Sequence, residues 1–571
     1  MVSPTNVVIL TVASAFLVHL GVVRWIRNLV RAFREARSCP GKGFLPNNPG
    51  GWAAVAFCGL WPPSDWVGDF TSDFKKYAQF GSSCISTVMA TDDPQPVYFI
   101  SDAETLRFVN TDKAFDKDVS CFTLNLFGDH ILRASGSDWK RHRAIANPAF
   151  NEANNARVWR EATRFANAWL GWIESKMGGN KRGQYDIHSL EDLSQLALLI
   201  FCSAAFGQRA SWKEPGSERE EGETLDFQST LEKAISLLIQ RSMIPDWGFD
   251  FFKRHDVPGV SAKVRNVQNI FDKLEGQLYE AVSSLGNVSG HEDGDVGKGS
   301  KSMEEGALMR NLVEANRRAE SGEGARHLSD WELISDMFWY LLAGHETSAT
   351  ALTFTFAYLA LHPEVQEKLY QEVYKVWPNG AAVEPDDKAY QQYFPQLVYT
   401  HAVFYEVMRL TPPAPRTTRI VLKDTEIPTY RFDPAKPGEK TLSNVVRCAV
   451  PVKANNRILV DIRAIHRSPL NWGEDADEFR PERFIDTGDY KWPRDAFAAF
   501  SFGGRNCIGR HFAVAESVCI LALFVRRFRL TVPEKLKGLP LEEQRRRLLE
   551  WKPGMTSVPL IPVVGIVPRA T

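Results

Sequence analysis

Residues 500–509 read FSFGGRNCIG, which places one thiol, Cys507, among three glycines, two phenylalanines and an arginine. A cysteine that only fills a core needs no glycines around it, whereas one that holds a metal could use the tight turn they allow. A second unusual stretch is AGHETS, residues 343–348. Glycine costs about 1 kcal/mol in a helix interior, and a buried acid needs partners. Two readings stand for it. One is a packed kink with a satisfied polar pair; the other is a helix opened locally beside a ligand, with Glu346 and Thr347 handling protons or water. His345 reads as a surface or helix-contact histidine rather than a metal ligand. Elsewhere, Glu406 and Arg409 lie three apart on one helical face, and FRPERF (479–484) brings a further arginine, Arg483. A carboxylate held by two guanidinium forks makes a rigid, charge-assisted network, which favours a structural lock over chemistry. Trp139 and Arg143 stand at i and i+4, so an indole N–H and a guanidinium could clamp a carboxylate. From that stretch alone, a solvated basic helix with a half-buried tryptophan is the better reading.

These residues need elements to hold them. Leu328 to Pro363 is apolar nearly all round, opens on a Ser329/Glu332 capping box and stops at a proline. The pattern predicts a buried helix of about 33 residues, about 50 Å long. Asp330, Glu332, Asp336, His345 and Glu346 inside it argue against a membrane span. Helical patterns dominate residues 100–410, and shorter strand-like runs follow over 416–465. The glycine-rich 286–306 stretch reads as a surface loop, and the charged 533–560 segment as a surface excursion. At the N-terminus, the run 7–23 lacks fixed charge and is followed by Arg24, Arg27, Arg31, Arg34 and Arg37. Charge after the apolar run favours a retained anchor over a cleaved signal peptide, with the rest of the chain on the cytosolic side. The expected organisation is an anchor over 1–30, a basic and Pro/Gly-rich linker over 31–65 and one catalytic domain over 66–571.

Composition sets outer limits. The chain has 571 residues, 44% hydrophobic, so it can bury a large core. Asp plus Glu (69) balances Lys plus Arg (68), which gives no bulk charge for nucleic acid. None of the eight cysteines forms a CxxC pair, which disfavours a zinc site or a disulfide framework and fits free thiols.

In order and separation, these motifs resemble the cytochrome P450 family of haem-thiolate monooxygenases. The match rests on Phe500, Gly503, Arg505, Cys507 and Gly509 (FxxGxRxCxG), Ala343 to Thr347, Glu406 with Arg409, Phe479 to Phe484, and Trp139 with Arg143. It implies a mainly α fold with small β-sheets, here preceded by one N-terminal transmembrane helix. It further implies haem b with Cys507 thiolate as axial ligand, shielded by Phe500. Trp139, Arg143, Arg419 and Arg505 would hold the haem carboxylates, and Ala343 would lie against the ring. Glu346 and Thr347 would guide protons to dioxygen, while Glu406, Arg409 and Arg483 would lock the fold.

The resemblance also implies an electron supply. The chain has no flavin domain and no convincing nucleotide-binding glycine motif. A separate NADPH–cytochrome P450 reductase is therefore the expected partner, with cytochrome b5 as a second donor. Oxygen, a lipophilic small molecule and the endoplasmic reticulum membrane complete the set; nucleic acid is not expected. Residues 121–134, 413–418 and 555–558, with those before Ala343, are mostly apolar, which points to a lipophilic molecule with little charge. The stretches AGHETSATAL and WGEDADEFRPERF resemble fungal members of the family, which implies a terpenoid or sterol-like substrate. Fatty-acid or xenobiotic hydroxylation is the alternative. Two rival classes are a reductase-independent haem-thiolate isomerase or dehydratase, which the Glu346–Thr347 pair disfavours, and a non-catalytic haem protein.

Overall fold

A computed structural model describes residues 4–41, 44–45, 73–89, 94–119, 126–178, 183–207, 212, 225–287, 307–321, 327–378, 383–436, 439, 441–553 and 556–569. The expected linker and the 286–306 loop fall mostly outside these residues, as do Cys121 to Asn125 and Met555 of the expected pocket wall. In chain order the helices that matter here are α1 (Pro4–Ala36), α2 (Ala103–Thr111), α3 (Gly136–Ala146), α4 (Glu152–Met177), α5 (Ser189–Phe206), α6 (Asp246–Arg254) and α7 (Asp330–Leu361). They continue with α8 (Val398–Leu410), α9 (Arg510–Arg527) and α10 (Leu541–Leu549). The strands are β1 (Phe44–Leu45), β2 (Cys84–Met89), β3 (Gln95–Ile100), β4 (Phe115–Lys117), β5 (Tyr185–His188), β6 (Arg416–Val421) and β7 (Thr425–Arg431). After them come β8 (Val446–Val452), β9 (Arg457–Asp461), β10 (Phe528–Thr531), β11 (Trp551–Pro553), β12 (Ser557–Pro559) and β13 (Val563–Pro568). Helices carry most of the chain and the sheets are small, as the family resemblance implies.

The chain divides into two compact units. The first comprises residues 1–121, 415–477 and 493–506. Its six-stranded mixed sheet runs β1-β2-β3-β9-β6-β4, with β7 and β8 forming a separate hairpin. Strand β6 pairs antiparallel with β9, opposing Arg419 to Ile458 and Thr417 to Val460. A buried apolar layer under the sheet includes Tyr98, Ile100, Leu106, Val421, Ile458 and Val460. Helix α1 runs on to Ala36, so the first residues of the expected linker are helical. Its last turns are tied down, because Ala32 and Ala36 pack on Val88 and the Ser86 hydroxyl donates to Ala36 O at 2.9 Å. Among the described residues no helix is long and apolar enough to cross a membrane.

The second unit comprises residues 122–414, 478–492 and 507–571. Its central member is α7, whose capping box at Ser329 and Glu332 forms as predicted. The helix is continuous through residues 343–348, with no local opening of the assigned helix. Instead, the Thr347 hydroxyl donates back to Ala343 O at 2.7 Å, a bond that competes with the helical ladder and favours a bend. Gly344 is explained by packing. A Cβ there would stand 3.0 Å from the ring of Phe201 on α5, so glycine lets the two helices approach. His345 is a core residue, 7% exposed. The charged 533–560 segment is also more than an excursion. Leu536 and Leu548 of it pack on Ala357 and Leu361 at the end of α7, and its β11–β12 pair brings Thr556 to the middle of that helix.

Candidate active site

Cys507 opens the last segment of the second unit, just ahead of α9. Burial pushes its thiol up, while the backbone N–H of Gly509 and the charges of Arg143 and Arg510 pull the other way. The residue is exposed. Ala343 is likewise exposed while Leu341, Leu342 and His345 around it are buried. Arg143 on α3 lies within electrostatic range of Cys507, and desolvation lowers its own pKa. Trp139, one turn earlier, is half-buried.

The first unit, taken by itself, holds Arg419 and Arg505 of the expected set. Arg419 on β6 is buried; its guanidinium donates to Thr418 O at 2.9 Å and to Asn110 Oδ1. Burial first, and the neighbouring Arg505 second, lower its pKa to about 10. Arg505 donates to Asp116 Oδ1 at 3.2 Å. Arg419, Arg505 and Asp116 thus interact electrostatically within this unit. Gly503 is required at its position, with φ +73 and a Cβ that would fall 2.9 Å from Asn110 O. Phe500 is 8% exposed and packs on Phe497. Sequence reasoning missed Asn110 and Asp116, since neither sits in a motif and β4 pairs with β6 across some 300 residues.

On α7, Glu346 accepts the Thr556 hydroxyl at 3.1 Å, and Thr556 stands 3.2 Å from Thr350 Oγ1. Burial raises the Glu346 pKa and Thr556 opposes the rise. One more acid lies close by. Glu516 on α9 is 1% exposed; burial pushes it to about 8, with Ser348 as its hydroxyl neighbour. Thr556 fell within the 555–558 stretch expected to wall the pocket, but its bond to Glu346 was not legible, and Glu516 reads as one polar position on a helix.

Glu406 and Arg409 are wholly buried. Arg409 donates to Glu406 through Nε at 2.6 Å and Nη2 at 2.8 Å; Arg480 N–H adds a third bond at 2.8 Å. Arg483 Nε lies 3.5 Å away. This is a structural network, remote from solvent.

An exposed cysteine on a glycine turn and, in the same unit, a long helix bearing Glu346 and Thr347 are the features the resemblance to haem-thiolate proteins requires. Matching proteins agree. The cytochrome P450 family model covers residues 49–435 and 440–558. The chain is 32% identical to cytochrome P450 monooxygenase 124 of Postia placenta over 475 residues, 81% of each chain. It is 25% identical to cytochrome P450 monooxygenase claP of Ampulloclitocybe clavipes over 499 residues, 85% of this chain and 84% of that one. It is 25% identical to cytokinin hydroxylase of Arabidopsis thaliana over 430 residues, 73% of this chain and 70% of that one. The chain belongs to the cytochrome P450 family and is a P450 monooxygenase. Membership implies a haem-thiolate cofactor, dioxygen and an electron donor, and the exposed Cys507 with the charges of Arg143 and Arg510 near it fits such a group.

Proposed function

We propose that the protein oxidises a lipophilic, weakly charged small molecule of terpenoid or sterol type. Haem, held through Cys507, supplies the oxygen-activating chemistry when bound. The protein's own residues do the rest. Gly509 N–H and the cations Arg143 and Arg510 favour the sulfur anion, which donates to iron. Trp139, Arg143, Arg419 and Arg505 hold the haem carboxylates, Phe500 shields the sulfur, and Ala343 allows a flat ring to lie against α7. Glu346, with its raised pKa, and Thr347 hold and pass protons at Oε and Oγ1, with Thr556 orienting Glu346. Glu406, Arg409 and Arg483 keep the scaffold rigid.

Electrons come from NADPH through a separate membrane-bound reductase, with cytochrome b5 as an additional donor. The protein is anchored in the endoplasmic reticulum membrane by its N-terminal helix and faces the cytosol. Val22, Val23, Trp25, Ile26 and Val30 of α1 are exposed apolar groups next to the arginine run, which supports this reading. Trp247 on α6, 72% exposed, is a further apolar group suited to lipid. The observation that carries the proposal is the exposed Cys507 thiol with Arg143 and Arg510 within electrostatic range of it.

The decisive test is the carbon monoxide difference spectrum of the reduced protein, wild type beside Cys507→Ser. A strongly red-shifted Soret band in the wild type alone is expected. Its absence from folded, haem-loaded wild type would remove Cys507 as the ligand. Oxygen-dependent product formation with a reductase, across terpenoid, sterol, fatty-acid and xenobiotic panels, then decides the substrate class.

A further inference from the structure

We propose that Asp336 is a positioning residue whose single carboxylate fixes both the loop 127–131 and helix α3 against α7, so that it sets the shape of the pocket and the hold on haem together. Asp336 is 0% exposed. Its Oδ1 accepts the backbone N–H of Ile131 at 2.7 Å, and its Oδ2 lies 2.7 Å from Nδ1 of the fully buried His142 on α3. A carboxylate has lone pairs for both donors at once. A buried acid in this position is costly unless both bonds are made, so the two segments are located by one group.

The neighbouring residues of α7 reinforce the same docking. The Ser335 hydroxyl donates to Gly128 O at 3.0 Å. Trp339 stacks on His130, with centroids 4.5 Å apart and planes at 12°, and Phe338 meets Phe127 edge-on at 5.3 Å. Four of the five loop positions 127–131 are thus matched by residues 335–339 of one helix. One turn before Asp336, Glu332 holds Arg141 of α3 in a two-pronged bond of 2.5 and 2.9 Å, and His142 Nε2 lies 3.6 Å from the same Glu332. Helix α3 therefore meets α7 through two cationic-type side chains facing two acids at i and i+4.

The functional consequence, which rests on the haem assignment proposed above, follows from what each segment carries. Helix α3 bears Trp139 and Arg143, flanking His142. The loop 127–131 continues the stretch expected to wall the substrate pocket. Helix α7 bears Ala343, Glu346 and Thr347 within three turns of Asp336. A small displacement at Asp336 is then felt at the pocket wall and at the carboxylate clamp in the same step, and misplacements near 1 Å can cost about a hundredfold in rate.

The test uses the haem-loaded full chain and two azole probes, imidazole and the bulkier phenylimidazole, titrated by their Soret shifts. Haem transfer to apomyoglobin and hydrogen exchange over residues 126–134 are followed in parallel. In Asp336→Ala, imidazole affinity should stay within about twofold, because it needs only the iron. Phenylimidazole affinity should change about tenfold, haem transfer should accelerate and the loop amides should exchange faster. Asp336→Asn keeps an acceptor for Ile131 but loses the charge facing His142, so it should speed haem transfer while leaving loop exchange near wild type. If Asp336→Ala does not fold, Asp336→Asn and Ser335→Ala decide, the second loosening the loop alone. A lower melting temperature with an unchanged azole ratio and unchanged haem transfer would overturn the proposal and leave Asp336 as packing. A wild type without the red-shifted carbon monoxide band would instead defeat the haem-thiolate reading, and this inference with it.

Discussion

Two acids of the second unit, Glu406 and Glu346, are the same residue type under opposite treatment. Glu406 receives two bonds from Arg409 and one from Arg480 N–H, with Arg483 close by. Glu346 receives one hydroxyl bond, from Thr556, and its Oε2 has no hydrogen-bond partner among the described residues. A carboxylate saturated by fixed cations has its charge and position settled, and can only hold structure. A partly buried one with a single neutral donor has its pKa raised and keeps a free oxygen, which is what proton handling requires. Glu516, close to Ser348 and wholly enclosed, extends the second pattern further. Burial without cations, more than residue type, separates Glu346 and Glu516 from Glu406.

The contrast can be broken most forcefully at the bracing end. Glu406→Ala strands Arg409 without its buried counter-charge, and should cost about 3–5 kcal/mol of stability. Urea denaturation and the haem content of the purified protein measure it; a normal midpoint with full haem would mean the network is dispensable. At the working end, Glu346→Gln should keep the red-shifted carbon monoxide band and lower turnover by roughly 10- to 100-fold, with peroxide released in place of product. Unchanged coupling of NADPH to product would remove Glu346 from proton delivery.

Glu516 separates enclosure from function. Its pKa of about 8 lies above the ordinary 4.5, so the folded state holds a proton that the unfolded state has released. Stability attached to this group is therefore present below about pH 4.5 and is lost as pH rises to 8. Glu516→Gln should flatten that slope, with a relative gain of roughly 1–2 kcal/mol at pH 8 over pH 5. Parallel pH profiles for the two proteins would place the shift elsewhere. The smallest effect is expected from Thr556→Ala. Removing the hydroxyl that favours ionised Glu346 should move the acidic limb of the pH–rate profile upward by about half a unit, and a rate profile that stays in place would show that Thr556 does not orient Glu346.

Local motifs account for much of what was legible. The capping box at Ser329, the Glu406/Arg409 spacing and the cysteine turn are each written within a dozen residues, so their physics survives in the sequence alone. The strands over 416–465 were legible for the same reason, through alternation and turns. The continuity of α7 at Gly344 was not, because the ring that needs the glycine, Phe201, is over a hundred residues away. The bond of Thr556 to Glu346 was hidden in a charged segment whose polar surface masked the buried Leu536 and Leu548.

The sequence by itself determined the class of chemistry, because a thiolate site, a proton-handling pair and a bracing ion network each require particular residue types at short spacing. Only the tertiary structure decided which acids are buried beside cations and which are not, and that Asp336 joins the loop at Ile131 to His142. Those outcomes depend on desolvation and on partners brought together from distant parts of the chain, and burial in three dimensions sets the energy of a charge in a way no local spacing records.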